Sequence, residues 1–97
     1  MVIKALDHVH DCYSWDTGAV IGDMLRSAFA RNESVVLSFQ GVTDVPSSFV
    51  NAALISLLDS YSFDFIKAHL RVTDASHQIV DMIQRRFSFA TKKPLAA

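Results

Sequence analysis

The pattern of apolar and polar positions predicts alternating strands and helices. Residues Val2 to Val9 begin apolar and then alternate, which predicts a short first strand. Asp16 and Thr17 are residue types that favour helix N-termini, and apolar side chains then recur at helical spacing as far as Arg31. We therefore expect a helix from Thr17 to Arg31, with an apolar stripe formed by Val20, Ile21, Met24, Leu25, Ala28 and Phe29.

The middle of the chain holds the most apolar strand and the most apolar helix. Val35 to Phe39 is short and rich in β-branched and aromatic residues, which predicts a central strand buried on both faces. A glycine and a proline then interrupt the chain. Ser47 and Ser48 follow as N-cap residues of a helix from Phe49 to Ser60. The polar strip of this helix is narrow, so we expect neighbouring elements or a second molecule to pack against most of its surface.

The last third of the chain predicts a further strand and helix. After a turn at Tyr61 to Asp64, residues Phe65 to Thr73 alternate apolar and polar positions, which predicts a strand with one wet face. Asp74 and Ser76 are caps for a final amphipathic helix. Its inward residues are Ile79, Val80, Ile83 and Phe87, and its outward residues are Asp81, Gln84, Arg85 and Arg86.

This order of elements predicts an α/β fold with a small, largely parallel or mixed sheet and about three helices. A chain of 97 residues is large enough for one hydrophobic core and too short for two. We expect a single domain over residues 1–90. Residues 91–97, which follow the decay of the helical pattern, are expected to form a flexible tail.

Composition and charge narrow the classes of partner. Half of the residues, 51%, are hydrophobic, so we expect apolar surface that a protein partner or a second copy of the chain covers. The formal net charge of -1 supplies no positive field for nucleic acid or for an anionic membrane. Neither is an expected partner.

The single cysteine and the hydropathy pattern bear on location. Cys12 has no second cysteine with which to form an intramolecular disulfide, and no long apolar stretch resembling a signal peptide begins the sequence. No apolar run approaches the roughly 20 residues that span a bilayer. A reducing cytoplasm is therefore the expected location.

Candidate metal and catalytic chemistry is sparse. His8, His10 and Cys12 would share one face of a first strand and could supply three zinc ligands. A structural zinc site needs a fourth ligand, and no further His or Cys lies near them in the sequence. A strand edge carrying histidines is the preferred interpretation, and we expect no metal and no cofactor. The motifs of nucleophile elbows, phosphate loops and dinucleotide sites are lacking, which predicts a protein that is not an enzyme.

The central segment resembles a known family. An apolar strand, a Gly-Val step at Gly41, a short loop and a serine before an apolar helix resemble the STAS family. A Ser-Phe pair, Ser48 and Phe49, is similar to the STAS-like group of unknown function (the DUF4325 type). Leu70 to Ile79 also resembles that family's next strand, loop and last helix, so the likeness covers roughly Thr17 to Phe87.

The resemblance implies a regulatory module, bacterial in origin, that docks a signalling protein such as a histidine-kinase-type ATPase. Ser48, with Ser47 beside it, falls where STAS anti-sigma-factor antagonists carry a phosphorylated serine. A phosphate there would meet the positive end of a helix dipole, although N-capping alone also explains both serines. The implied partner surface consists of Asp44, Pro46, Phe49 and Asn51, with Ser47 and Ser48 as phospho-acceptors or partner contacts.

A second interpretation is a small-ligand or nucleotide sensor. Ligands of open α/β sheets bind beyond the carboxyl ends of the strands, where the sequence places Gly41, Asp74, Ser76 and His77. Lys67, His69 and Arg71 would share a strand face and could form a basic patch, but a solvated sheet face is the simpler interpretation.

Overall fold

A computed structural model describes residues 1–91 and arranges them as one parallel sheet with four α-helices. The strands are β1 (Val2–Lys4), β2 (Val35–Ser38) and β3 (Leu70–Thr73). The helices are α1 (Trp15–Ala30), α2 (Ser47–Ala53), α3 (Phe63–His69) and α4 (His77–Thr91), and Ala5–Asp7 and Ile55–Asp59 form 3-10 helices. The expected α/β class is confirmed, with four helices in place of about three. The predicted tail lies outside the described residues apart from Thr91, the last residue of α4.

The sheet has the strand order β1-β2-β3, and both pairings are parallel. β2 is therefore the central strand, as its apolar sequence predicts. Ile3, Leu37 and Val72 lie side by side in one row across the three strands, and Leu37 is fully buried. The neighbouring row, formed by Val2, Val36 and Arg71, belongs to the opposite face, where Val2 is 71% exposed.

The first strand is shorter than predicted. β1 ends at Lys4, and the chain then turns into a 3-10 helix. The buried Ala5 explains the turn, because its carbonyl accepts the N–H groups of His8 at 3.0 Å and Val9 at 3.2 Å. The prediction of a strand from Val2 to Val9 is thus wrong for its second half.

Helix α1 begins two residues earlier than predicted. The N-cap is Ser14, and its hydroxyl accepts the N–H of Thr17 at 3.2 Å. The Thr17 hydroxyl in turn accepts the N–H of Ser14 at 3.4 Å, which completes a capping box. Thr17 is therefore the third helical residue and part of the cap, whereas Asp16 lies in the first turn.

The backbones of α1 and α2 are in direct contact. A Cβ atom added to Gly18 would lie 2.5 Å from the carbonyl oxygen of Phe49. One added to Gly22 would lie 2.7 Å from the carbonyl oxygen of Ala52. Real side chains do not approach so closely, so the two glycines allow the contact that fixes α2 against α1.

The predicted apolar helix from Phe49 to Ser60 is two shorter elements. α2 ends at Ala53, and Leu54, with φ −120°, starts the 3-10 helix Ile55–Asp59. The Ser56 hydroxyl donates to the carbonyl of Ala52 at 2.7 Å, which satisfies a carbonyl at the end of α2. Hydrophobicity alone did not reveal this break.

The predicted strand from Phe65 to Thr73 is wrong over its first half. Residues Phe63–His69 form α3, and only Leu70–Thr73 form β3. The Ser62 hydroxyl caps α3 by accepting the N–H of Phe65 at 3.1 Å. The rings of Phe65 and His69, one helical turn apart, stack with centroids 3.9 Å apart. Lys67 and His69 therefore lie on α3 and do not share a strand face with Arg71.

Membrane-spanning potential among residues 1–91 is limited to one weak case. No single helix in this range is both long and apolar enough to cross a membrane. By length and composition only, Ser47–Asp59 and Phe63–His69 qualify together, as a pair bent by 115°.

Candidate functional site

Two loops lie side by side at the carboxyl edge of the sheet. One connects β2 to α2 and the other connects β3 to α4, and the parallel pairing of β2 with β3 aligns their ends. The Ser38 hydroxyl donates to the Asp74 carboxylate at 2.7 Å and accepts the N–H of Gln40 at 3.2 Å. Asp74 has a positive φ of 55°, a conformation that Asp tolerates better than most residues. This pair is the first of three links between the segment from β2 to α2 and the segment from β3 to α4.

Ser76 provides the second link and also caps α4. Its hydroxyl donates to the carbonyl of Thr43 at 2.7 Å and accepts the N–H of Ile79 at 3.3 Å. The predicted capping role of Ser76 is therefore confirmed. Asp74, the other predicted cap, bonds to Ser38 and, more weakly, to the Thr73 hydroxyl at 3.4 Å.

Gln78 provides the third link through both ends of its side-chain amide. The amide oxygen accepts the N–H of Val45 at 2.9 Å, and the amide nitrogen donates to the carbonyl of Val45 at 2.9 Å. The Val45 side chain is buried at 2% exposure, so this bond pair fixes a buried point of the loop. No sequence pattern indicates this role, because a glutamine in the first turn of an amphipathic helix is usually solvated.

The predicted partner surface is only partly exposed. Asp44 and Ser47 are exposed, and Pro46, Ser48 and Asn51 are half-buried. Phe49 has no exposed area, and its ring packs against Phe39 with centroids 6.2 Å apart. Its assignment to a partner surface is therefore wrong, because the first turn of α2 directs this side chain into the core.

Asn51 connects the predicted surface to α4. Its side-chain oxygen accepts a hydrogen bond from Nε of Arg86 at 3.1 Å. The guanidinium of Arg86 also lies 5.1 Å from the ring centroid of Phe89, which is 71% exposed. Asn51 thus has a structural contact as well as an accessible side.

The two serines do not cap α2. Pro46 is the N-cap residue, no side-chain hydrogen bond caps the helix, and Ser47 and Ser48 are its first two residues. The prediction that they are N-caps is wrong by one to two positions. Capping therefore does not account for their hydroxyl groups.

The proposed ligand loop is brought together in part. Asp74 and Ser76 contact the β2–α2 loop directly through Ser38 and Thr43. Gly41 lies in that loop with a φ of 86°, which favours glycine. His77 is the first residue of α4 and is exposed.

The histidine and cysteine residues near the start do not form a metal site. β1 ends before His8, so His8, His10 and Cys12 do not share a strand face. Within residues 1–91, no three His, Cys, Asp or Glu side chains come together in a way that could hold a metal ion. Burial, followed by the charge of Asp11, raises the pKa of the Cys12 thiol to about 11.

Comparison with known proteins identifies the family. The family model of the STAS-like domain of unknown function (DUF4325) matches residues 19–80, well over half of the chain. The chain therefore belongs to the STAS-like domains of this group, as the motif around Ser48 and Phe49 indicated. The matched range includes α2, β3 and both loops of the candidate site. No curated protein and no solved structure matches the chain.

Proposed function

We propose that this STAS-like domain is a non-catalytic regulatory module that binds a signalling protein. Its docking surface consists of Asp44, Pro46, Ser47, Ser48 and Asn51. The observation that carries this proposal is the set of three links from Ser38, Ser76 and Gln78, which hold the loop before α2 in one conformation. A surface that is ordered before binding loses little conformational entropy when a partner docks.

A non-catalytic role fits the state of the reactive side chains. The Asp74 carboxylate already accepts the hydrogen bond of Ser38. The Cys12 thiol is buried, and with a pKa of about 11 it is protonated at neutral pH, so it is a poor nucleophile. Both groups are therefore better suited to a structural role than to catalysis.

We propose a histidine-kinase-type ATPase, or another bacterial signalling protein of the cytoplasm, as the partner. The resemblance of the segment around Ser48 to the anti-sigma-factor antagonists supports this class of partner. The free, buried Cys12 is compatible with a reducing compartment.

Phosphorylation of the docking surface is the regulation that we propose for this site. Because Ser47 and Ser48 do not cap α2, their modification would remove no capping bond. A phosphate would add nearly two negative charges beside the exposed Asp44 and would alter the affinity for a charged partner. The family resemblance favours Ser48, whereas Ser47 is the more exposed of the two.

The alternative proposal is a small-ligand or nucleotide sensor at the two loops, and the contacts support it less well. The polar side chains of Ser38, Asp74, Ser76 and Gln78 are engaged with one another or with the adjacent loop backbone. A ligand would have to displace these bonds. A thermal-shift series with nucleotides tests this alternative, because a ligand that binds only the folded state must raise the melting temperature.

The docking proposal is tested by affinity capture from the native host with matched charge reversals. Asp44→Lys changes the docking surface, and Asp23→Lys makes the same change on the exposed side of α1. We expect wild type and Asp23→Lys to recover the same protein and Asp44→Lys to lose it. Binding of the purified partner is then measured by calorimetry. Equal affinity of all three baits would place the interface elsewhere.

Mass spectrometry of the domain recovered from the same host tests the regulation separately. Phosphate on Ser47 or Ser48, together with altered partner binding by Ser48→Asp, would support it. Unmodified serines under all growth conditions, with equal binding by Ser48→Ala and Ser48→Asp, would reject the regulation and leave the docking result unaffected.

A further inference from the structure

An apolar groove is lined by residues other than those of the docking surface. It has a volume of about 430 Å³ and is bordered by α3, β3 and α4. This volume is within the range of about 300–1,000 Å³ that is typical of small-molecule sites. Six apolar side chains line it: Phe63, Ile66, Leu70, Val72, Ile83 and Phe87.

One end of the groove is basic. Lys67 lines the groove, and its Nζ lies 5.0 Å from the ring centroid of Phe63. Lys67 and Leu70 also border an adjacent depression of about 360 Å³, which His69 and Arg71 line as well. The apolar groove therefore adjoins this depression at Lys67 and Leu70, and Lys67 is the basic side chain common to both.

The positive charge at this end is not neutralised by the described part of the chain. No Asp or Glu side chain lines the groove or the depression. The ion pairs within residues 1–91 are Arg26–Asp23, Arg31–Glu33 and Arg85–Asp81, so neither Lys67 nor Arg71 has a carboxylate partner there. The bases in the last turn of α3 partly offset its helix dipole, but Arg71 lies on β3 and has no such role.

We propose that this site binds a single-chain amphipathic anion, a free carboxylate with a medium-length acyl chain. The acyl chain occupies the groove and removes the apolar area of Ile83, Phe63 and their neighbours from water. The carboxylate pairs with Lys67, the cation in the groove lining. Charge complementarity selects this ligand, because a neutral apolar compound would leave Lys67 unpaired.

Decanoate, kept below the concentration at which it forms micelles, is the probe for the full chain. Decanol has the same chain without the charge, and acetate has the charge without the chain. Binding is measured by the shift in melting temperature and by the amide chemical shifts of the ¹⁵N-labelled protein. Lys67→Gln removes the central cation, and Lys4→Gln on β1 is the matched control, since Lys4 borders neither cavity.

We expect decanoate to raise the melting temperature and to shift amides of α3, β3 and α4. Lys67→Gln should weaken decanoate binding by about fivefold, the change expected for one exposed ion pair, and Lys4→Gln should leave it unchanged. Equal binding of decanol and decanoate would overturn the proposal, as would shifts outside these elements or no binding. If shifts of the same amides depend on protein concentration without ligand, the groove is an interface between copies of the chain.

Discussion

Gln78 and Val45 form a two-bond pair in which the side-chain amide of the first residue accepts from and donates to the backbone of the second, each at 2.9 Å. The arrangement resembles one rung of a β-ladder made by a side chain. It ties the start of α4 to the loop before α2, although 33 positions separate the two residues.

Gln78→Ala should destabilise the domain by about 1–3 kcal/mol, because it leaves the N–H and the carbonyl of Val45 without their partners. Urea unfolding measures the change. Gln84→Ala, on the same helix and exposed, is the matched control. A loss no larger than that of the control would show that water replaces the amide at no cost.

Gly22→Ala should destabilise the domain by about 1–3 kcal/mol, since the new Cβ would meet the carbonyl oxygen of Ala52 at 2.7 Å. The result would be opposite in sign to the gain of about 1 kcal/mol that helix propensity alone predicts for this change. Ser27→Ala, on the exposed side of α1, should change the stability by less than about 0.5 kcal/mol. Thermal unfolding distinguishes these outcomes, and a stabilised Gly22→Ala would refute the close contact of the two helices.

Ser14→Ala should cost about 1 kcal/mol of stability, because it removes the N-cap of α1. Ser48→Ala should change stability by less than about 0.5 kcal/mol, because Ser48 makes no capping bond. Denaturant unfolding of the two variants beside wild type measures both values. Similar losses of stability in both variants would show that Ser48 caps α2.

The Cys12 thiol should make stability decline between about pH 9 and pH 11. An exposed thiol has a pKa of 9.0, and burial raises the pKa of the Cys12 thiol in the folded protein to about 11. The unfolded chain therefore loses its thiol proton first as the pH rises, and its deprotonation favours unfolding through this window. Cys12→Ala should lack this component of the pH dependence.

The same burial predicts that the Cys12 thiol reacts slowly with thiol reagents. A disulfide reagent at pH 7.5 should label the folded domain far more slowly than the urea-unfolded chain, because the thiol is both buried and protonated. Labelling at equal rates in both states would show that the thiol is accessible.

The parts of the fold that could be predicted from the sequence are those in which one periodicity is unambiguous. β2 is continuously apolar, and α1 and α4 have clear helical stripes, so all three were placed within a few residues. Phe65 to Thr73 was ambiguous, because Phe63, Ile66 and Leu70 also fit helical spacing. The Ser62 cap and the stacking of Phe65 on His69 stabilise the helix over the strand.

The candidate site could be predicted as a location but not as a set of contacts. Parallel strands bring the loops after β2 and β3 together, as expected for Gly41 and Asp74. The direction of the Phe49 side chain depends on a cap that falls on Pro46, one residue before the predicted serines. The role of Gln78 depends on tertiary distance, which hydropathy does not encode.

The parallel sheet also constrains how the domain folds. Val2 pairs with Val36, and Val35 pairs with Leu70, so no two neighbouring strands are joined by a tight turn. Each pairing must close a loop of more than thirty residues. Loop closure reduces the conformational entropy of the chain before the strand contacts form and compensate for that loss. Folding rates should therefore respond more to mutations that loosen the α1–α2 contact than to changes in the strands themselves, because those helices shorten the search that brings β2 to its partners.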